Sequence, residues 1–180
     1  VAFLGTYARH KAPHLVLEAW ARLPATLRER ARLELRGPLT QDAEYIGRLH
    51  TLAAQCGAQV LPALERKDVP GYVANLDLLI VPSVWYENSP MVIHEALSLE
   101  TPLLVSNLGG MAELVEVGRS GEHFRVGDDA DLAAKLEEFL GQPARLSALY
   151  RGGLGLPSMD DHAREVERIY AEARAHGPRA

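Results

Sequence analysis

Six short apolar runs, each followed by a stretch of helical periodicity, constrain this chain more than any other feature. The runs are Val1–Leu4, Leu33–Arg36, Gln59–Leu61, Leu78–Val81, Leu103–Ser106 and Glu122–Arg125. Helical patterns fill roughly 13–23, 41–56, 66–75, 90–99, 110–117 and 129–140. Strands separated by helices of this length are βαβ units, and βαβ units build a parallel sheet. Their crossovers are right-handed, so helices cover both faces. Leu78–Val81 and Leu103–Val105 are apolar throughout, as strands buried on both sides require. Pro13 and Pro90 fall where a first helical turn would begin, and Gly57 falls where a helix would end. The expected fold is α/β: a Rossmann-like parallel sheet with helices on both faces.

With 180 residues, 47% of them hydrophobic, the chain supports one well-cored domain and excludes a disordered or collagen-like one. That domain is expected over residues 1–156. Gly152, Gly153, Gly155 and Pro157 form a hinge, and residues 157–180 carry a helix with Ala163, Val166, Ile169, Tyr170 and Ala173 on one face. This helix is expected to pack on the body. The opening Val1-Ala2-Phe3-Leu4-Gly5 begins a strand at once, without an initiator Met or signal peptide, and reads as a cut inside a longer chain. No apolar run approaches the ~20 residues of a membrane span, so membrane association is not indicated. The single Cys56 excludes an internal disulfide and a cysteine metal cluster and suits a cytoplasmic setting.

The net charge of −5 divides into +1 over residues 1–90 and −6 over residues 91–180, and neither half makes the basic stripe of a nucleic-acid binder. Among 19 basic residues only Lys11, Lys67 and Lys135 are lysines. Dinucleotide and P-loop glycine signatures are absent, as is a Gly-x-Ser-x-Gly elbow. His10 and His14 are four apart, but Pro13 breaks their shared face, and no metal site is expected.

Ligands of such a sheet bind beyond the carboxyl ends of its strands. After the fourth run the chain reads Pro82-Ser83-Val84-Trp85-Tyr86-Glu87-Asn88-Ser89-Pro90-Met91-Val92-Ile93-His94-Glu95-Ala96. Ser89 is expected as the helix N-cap and Pro90 as the first helical residue. The open N–H groups near Ser89, Met91 and Val92 favour an anion such as phosphate. Glu87 and Glu95 flank that anion site. Carboxylates repel phosphate but accept strong hydrogen bonds from sugar and ribose hydroxyls. Together these features form the chemistry of a nucleotide-sugar site. The plainer alternative makes Glu87 a solvated loop acid and Glu95 the structural partner of an arginine.

Pro82-Ser83, Trp85-x-Glu87, Asn88-Ser89-Pro90, Glu95-Ala96, Thr101-Pro102 and Gly109-Gly110-x-x-Glu113 together resemble the donor-binding domain of family-4 retaining glycosyltransferases of GT-B fold. Gly5, Lys11, Gly127-Asp128 and Leu132-Ala133 extend the likeness over most of residues 1–140. The resemblance implies a transferase that moves a sugar from a nucleoside-diphosphate sugar with retention of configuration. A lysine and a helix dipole are able to replace a metal, so no cofactor is expected. It implies that Glu87 contacts the donor sugar and Glu95 the ribose. Backbone from Asn88, Ser89, Pro90, Met91 and Val92 would line the sugar and phosphate. It also implies an acceptor-binding N-terminal domain outside this chain, without which the fragment would transfer nothing.

In the loop after the first run, Gly5-Thr6-Tyr7-Ala8-Arg9-His10-Lys11-Ala12, Lys11 is placed to neutralise the diphosphate. The family usually has Gly-Arg and Lys-Gly where this chain has Gly5-Thr6 and Lys11-Ala12. Either Arg9 replaces the missing arginine or Lys11 clamps alone. Gly109-Gly110 would let backbone approach a ligand, and Glu113 would favour a helix start by its charge. Glu100 stands where the family usually has glycine. Base recognition would lie near Gly37-Pro38 and Ala63-Leu64. Two other readings are a non-catalytic nucleotide-sugar-binding or scaffold domain and a GT-B-fold sugar-nucleotide epimerase.

Overall fold

A computed structural model describes residues 1–149 and 158–176. Six strands, β1 (Ala2–Leu4), β2 (Glu34–Arg36), β3 (Gln59–Leu61), β4 (Leu79–Val81), β5 (Leu103–Ser106) and β6 (Gly121–Phe124), form one sheet. Its order is β3-β2-β1-β4-β5-β6, and every pairing is parallel. The helices are α1 (Pro13–Arg22), α2 (Ala25–Arg28), α3 (Ala43–Cys56), α4 (Val69–Ala74), α5 (Met91–Ser98), α6 (Gly109–Leu114), α7 (Asp129–Gly141), α8 (Pro143–Leu146) and α9 (Met159–His176). The expected elements stand within a few residues of their places. The four-residue α2 and α8 are additions, too short to carry a period.

The core follows from the strand chemistry. Leu79, Ile80, Leu103, Leu104 and Val105 are fully buried at the sheet centre. Helix α1 lies between α3 and α7 and contributes Val16, Leu17 and Trp20, all buried, and Phe139 of α7 is buried as well. Asp42 caps α3 by accepting from the Tyr45 N–H at 3.0 Å, and Gly57 closes the same helix in the left-handed region at φ 75°. Cys56 is buried, and burial pushes its thiol pKa up.

The expected packing of the C-terminal helix is not what the structure has. Ile169 is 51% exposed and Tyr170 67%, so the apolar face of α9 stands open. Only Val166 on that face is half-buried. The helix instead draws on its own sequence. Ser158 and Asp161 exchange hydrogen bonds at its start, the Asp161 N–H donating to the Ser158 hydroxyl at 3.2 Å and the Ser158 N–H to the Asp161 carboxylate at 2.8 Å. The Ser158 hydroxyl, which donates to the Asp161 carboxylate at 2.6 Å, then Arg164 and the Ser158 N–H hold the Asp161 pKa down at about 2. Arg168 pairs with both Glu165 and Glu172, one turn to either side. The hinge glycines and Pro157 lie outside the described residues.

Two non-glycine residues adopt positive φ among those described, Ala12 at 51° and Glu100 at 54°. Both occupy positions where the resembling family has glycine. Glu100 is exposed and ends the turn after α5, so its side chain gains no burial for its backbone strain. Glu100→Gly removes a left-handed penalty of about 1–2 kcal/mol, offset in part by a more flexible unfolded chain. A net stabilisation of roughly 0.5–1 kcal/mol is expected as a higher urea midpoint at unchanged slope.

Candidate functional site

The order of the sheet reverses between β1 and β4, and the loops leaving these strands part in opposite directions. Two adjoining hollows open there and share Leu4, Gly5, Thr6, Met91 and Val92. The first, of about 350 Å³, also receives Lys11, Ser83, Glu87, Ser89 and Pro90. The second, of about 290 Å³, receives Gly37, Pro38, Ala63, Leu64 and Glu95. Larger hollows, of about 690 and 360 Å³, lie around Val1, Arg30, Arg32 and Asp77, at the amino ends of the strands. An open α/β sheet binds ligands at the other end, at its switch point, and Lys11, Glu87 and Glu95 gather there.

Lys11 reaches the cleft through a specific backbone path. After β1 the chain makes one 3-10 turn over Arg9–Lys11, then Ala12 takes the left-handed conformation, and Pro13 opens α1. The loop after β4 grips this turn from the other side. The His10 carbonyl accepts from the Val84 N–H at 2.9 Å and from the buried Ser83 hydroxyl at 3.0 Å. The Lys11 ammonium forms an ion pair with Glu87, whose carboxylate also lies 2.9 Å from the Ser83 hydroxyl. Ser83 has one proton to offer, so the His10 carbonyl and Glu87 compete for it. The side chains of Lys11 and Glu87 are 32% and 15% exposed, which leaves both within reach of a ligand. Lys11 and Glu87 had separate expected tasks, and the structure brings them together as partners.

Helix α5 begins at Met91, one residue later than expected. Pro90 sits at the cap position with φ −63° and ψ 117°, and no side chain caps the helix. Ser89 therefore is not the N-cap. Its hydroxyl pairs with the His94 Nε2 at 2.7 Å. Pro90 keeps its fixed φ but takes an extended ψ, and the helix starts one residue later. Without a side-chain cap, the first N–H groups of α5 are open to an anion on the cleft side. Glu95, half-buried, follows one turn on, beside Val92 and facing Gly37-Pro38 and Ala63-Leu64.

Arg9 is placed elsewhere. Its guanidinium donates to Asp42 at 2.7 Å and lies over the Tyr45 ring at 4.9 Å, so it serves the start of α3 rather than the cleft. The Asp42 carboxylate is correspondingly held below its ordinary pKa, chiefly by the bond from Arg9. Lys11 is left as the cation among the residues lining the two hollows. Thr6, on the rim shared by both, is exposed and uncharged. His14 bonds to the Tyr45 hydroxyl at 2.7 Å, and His10 meets the edge of Trp85 at 6.4 Å between ring centres. Among the described residues no three His, Cys, Asp or Glu are grouped to hold a metal ion.

The glycine pair also differs from expectation. Gly110 donates its N–H to the Glu87 carbonyl at 2.9 Å, and a Cβ on Gly110 would stand 2.0 Å from the Asn88 carbonyl oxygen. What approaches closely at Gly110 is the loop bearing Glu87 and Asn88. Glu113 is the fifth residue of α6, past the first turn, and exposed. Its charge therefore does not serve the helix start. Sequence reasoning missed Ser83 as the clamp between the two loops, although a polar residue directly after a fully apolar strand is a visible signal.

The fold and cleft define a class, the Rossmann-like α/β lobe with a ligand cleft at its switch point. The chain belongs to the glycosyl transferases group 1 family, whose model matches residues 1–153. It is 32% identical over 171 residues to a D-inositol 3-phosphate glycosyltransferase of Stackebrandtia nassauensis, covering 91% of this chain and 37% of that protein. It is 30% identical over 129 residues to spore coat protein SA of Bacillus subtilis, covering 67% and 33%. The chain thus spans about a third to two-fifths of the curated relatives it matches. Among solved structures, Anabaena HepE in complex with UDP superposes with a TM-score of 0.70 at 24% identity, covering 81% of this chain and 41% of that one. Sucrose-phosphate synthase of Thermosynechococcus elongatus superposes with a TM-score of 0.73 at 20% identity, covering 98% and 46%. These neighbours share the Rossmann-like lobe of GT-B glycosyltransferases. No helix among the described residues is long and apolar enough to cross a membrane.

Gly110→Ala tests how the Glu87 loop is held. The new methyl must displace the Asn88 carbonyl, at a cost of about 1–3 kcal/mol. Both the thermal midpoint and ligand binding at the cleft should fall. Unchanged values for both would show that the loop has room to move.

Proposed function

We propose that this chain is the donor-binding half of a retaining glycosyltransferase that takes a nucleoside-diphosphate sugar. The observation that carries the reading is the meeting of Lys11, Glu87 and the uncapped start of α5 in one hollow, with Glu95 in the adjoining one. The diphosphate fits between the Lys11 ammonium and the first N–H groups of α5. As phosphate oxygens draw Lys11 away, the Glu87 carboxylate becomes available to sugar hydroxyls, still held by Ser83. Glu95 accepts from the ribose hydroxyls, and the backbone-lined wall at Gly37-Pro38 and Ala63-Leu64 receives the base.

Catalysis by this half is electrostatic. As the bond from the anomeric carbon to the diphosphate breaks, its electron pair stays on the phosphate oxygen. Lys11 and the helix start stabilise that growing charge, and fixed dipoles aimed at developing charge are the strongest aid a site of this kind offers. The sugar passes through an oxocarbenium-like state and is transferred with retention. An acceptor-binding domain and the acceptor come from outside this chain, which suits the share of its relatives that it spans. A cytoplasmic setting agrees with the single buried Cys56.

Thermal unfolding with UDP-, GDP- and ADP-sugars tests the reading directly, because a ligand that binds only the native chain raises the midpoint. One nucleotide class should stabilise the wild type, with UDP a natural first probe given the UDP complex of HepE. Glu95→Ala should weaken that binding roughly tenfold by calorimetry through lost charge-assisted hydrogen bonds. Unchanged binding removes Glu95 from the ribose site. The chain by itself should bind a nucleotide sugar and transfer nothing to added acceptors. Robust transfer by these 180 residues alone would overturn the half-site reading.

A further inference from the structure

Tyr7 is fully buried in the loop after β1, yet its hydroxyl reaches two other strands. It lies 2.6 Å from the Leu35 carbonyl oxygen on β2 and 2.6 Å from the Leu61 carbonyl oxygen on β3. It also accepts the Leu61 N–H at 3.3 Å. A phenol has one proton, so the two short contacts share it or alternate. Burial pushes the Tyr7 pKa up to about 12, which keeps the hydroxyl a donor at ordinary pH.

The main chain of the same residue continues the tie. The Tyr7 N–H donates to the Pro38 carbonyl at 3.1 Å, and the Thr40 hydroxyl donates to the Tyr7 carbonyl at 3.1 Å. One residue thus joins the loop after β1 to the ends of β2 and β3. The segments that leave those ends, Gly37-Pro38 and Ala63-Leu64, form the cleft wall across from Glu95. That wall offers backbone groups and small apolar side chains. A wall of this kind discriminates among ligands only if its N–H and C=O groups are held to within about 0.5 Å.

We infer that Tyr7 is a positioning residue for the nucleobase: its hydroxyl holds the ends of β2 and β3 at the spacing that lets the backbone wall choose among bases. The inference rests on the nucleotide-sugar reading and deepens it by naming what sets base selectivity. Tyr7 touches no substrate in this arrangement and acts through the wall. Removing its hydroxyl takes away the side-chain tie across the ends of β2 and β3 and leaves them to their sheet bonds alone, such as the Gly37 N–H to the Leu61 carbonyl at 3.4 Å, while the ring still fills its place in the core.

Calorimetry on the full chain, wild type and Tyr7→Phe, with UDP, GDP, ADP and inorganic pyrophosphate, tests this. Tyr7→Phe should weaken the preferred nucleotide about tenfold and narrow its margin over the other two, while pyrophosphate binding stays within about twofold. Tyr45→Phe removes another buried hydroxyl, 2.7 Å from His14, and should leave the margin unchanged. An unchanged margin in Tyr7→Phe overturns the inference alone, as does an equal loss of nucleotide and pyrophosphate. A wild type that binds none of the nucleotides overturns the nucleotide-sugar reading and this inference with it. Should Tyr7→Phe not fold, hydrogen exchange at the Leu61 amide of the wild type decides. Nucleotide should slow that exchange and pyrophosphate should not, and equal slowing by both overturns the inference.

Discussion

The pairing of β1 with β4 governs the rest of the molecule. It is brief, Ala2 beside Leu79 and Phe3 beside Ile80, and it joins two halves whose connections run opposite ways. From β1 the chain crosses to β2 and β3 on one side, and from β4 it crosses to β5 and β6 on the other. With all crossovers right-handed, the loops after β1 and β4 must turn away from each other as they leave the sheet. The gap between them is the cleft. Lys11, Glu87 and Glu95 inherit their places from this reversal, Lys11 from the loop after β1, Glu87 from the loop after β4 and Glu95 from the helix α5 that this loop leads into.

Such a gap would stay wide unless something drew the loops back together, and the structure uses short polar ties for this. The Ser83 hydroxyl and the Val84 N–H both reach the His10 carbonyl, and Lys11 closes on Glu87. On the outer side Gly110 lets α6 press against the backbone of Glu87 and Asn88. On the inner side a Cβ on Gly37 would lie 1.8 Å from the Gly5 carbonyl oxygen, so only glycine allows β1 and β2 to end so close together. These contacts explain how an acidic chain, with a net charge of −5, can offer a site to an anion. The cleft needs no positive surface. It needs one ammonium whose present partner can be exchanged and one helix start that nothing caps.

The sheet was legible in the sequence because its period is written in side chains. Runs such as Leu78–Val81 and Leu103–Val105 admit few other structures, and Pro13 and Gly57 mark their helices by backbone chemistry. Lys11 was legible as a candidate because lysine is rare in this chain and stood in the loop after the first strand, and Glu87 and Glu95 because they flank an expected helix start after the fourth. Their partnerships were not. Nothing in the order of residues says that Arg9 turns outward to Asp42, since Asp42 comes from a different loop and the Tyr45 ring from a helix 36 residues on. The shift of the α5 start from Pro90 to Met91 depends on one ψ angle, to which composition is blind. The openness of α9 is hidden from the sequence for a related reason. An apolar stripe shows that a face is able to pack, and only the fold shows whether anything meets it.

The two left-handed residues give the last link between strain and site. Ala12 follows Lys11 directly, and its φ of 51° turns the 3-10 segment into α1. Ala12 is at once the end of the turn that bears Lys11 and the cap of the helix that follows. The residue is fully buried, so its methyl recovers by packing part of the roughly 1–2 kcal/mol that its backbone conformation costs. Glu100 has no such compensation, and it lies past the end of α5, where strain does not aim any site residue. The same backbone conformation therefore has two meanings in one chain. At Ala12 it joins the turn that bears the cleft lysine to α1, and packing supports it. At Glu100 it ends a helix and is simply tolerated, as surplus stability elsewhere in the fold allows.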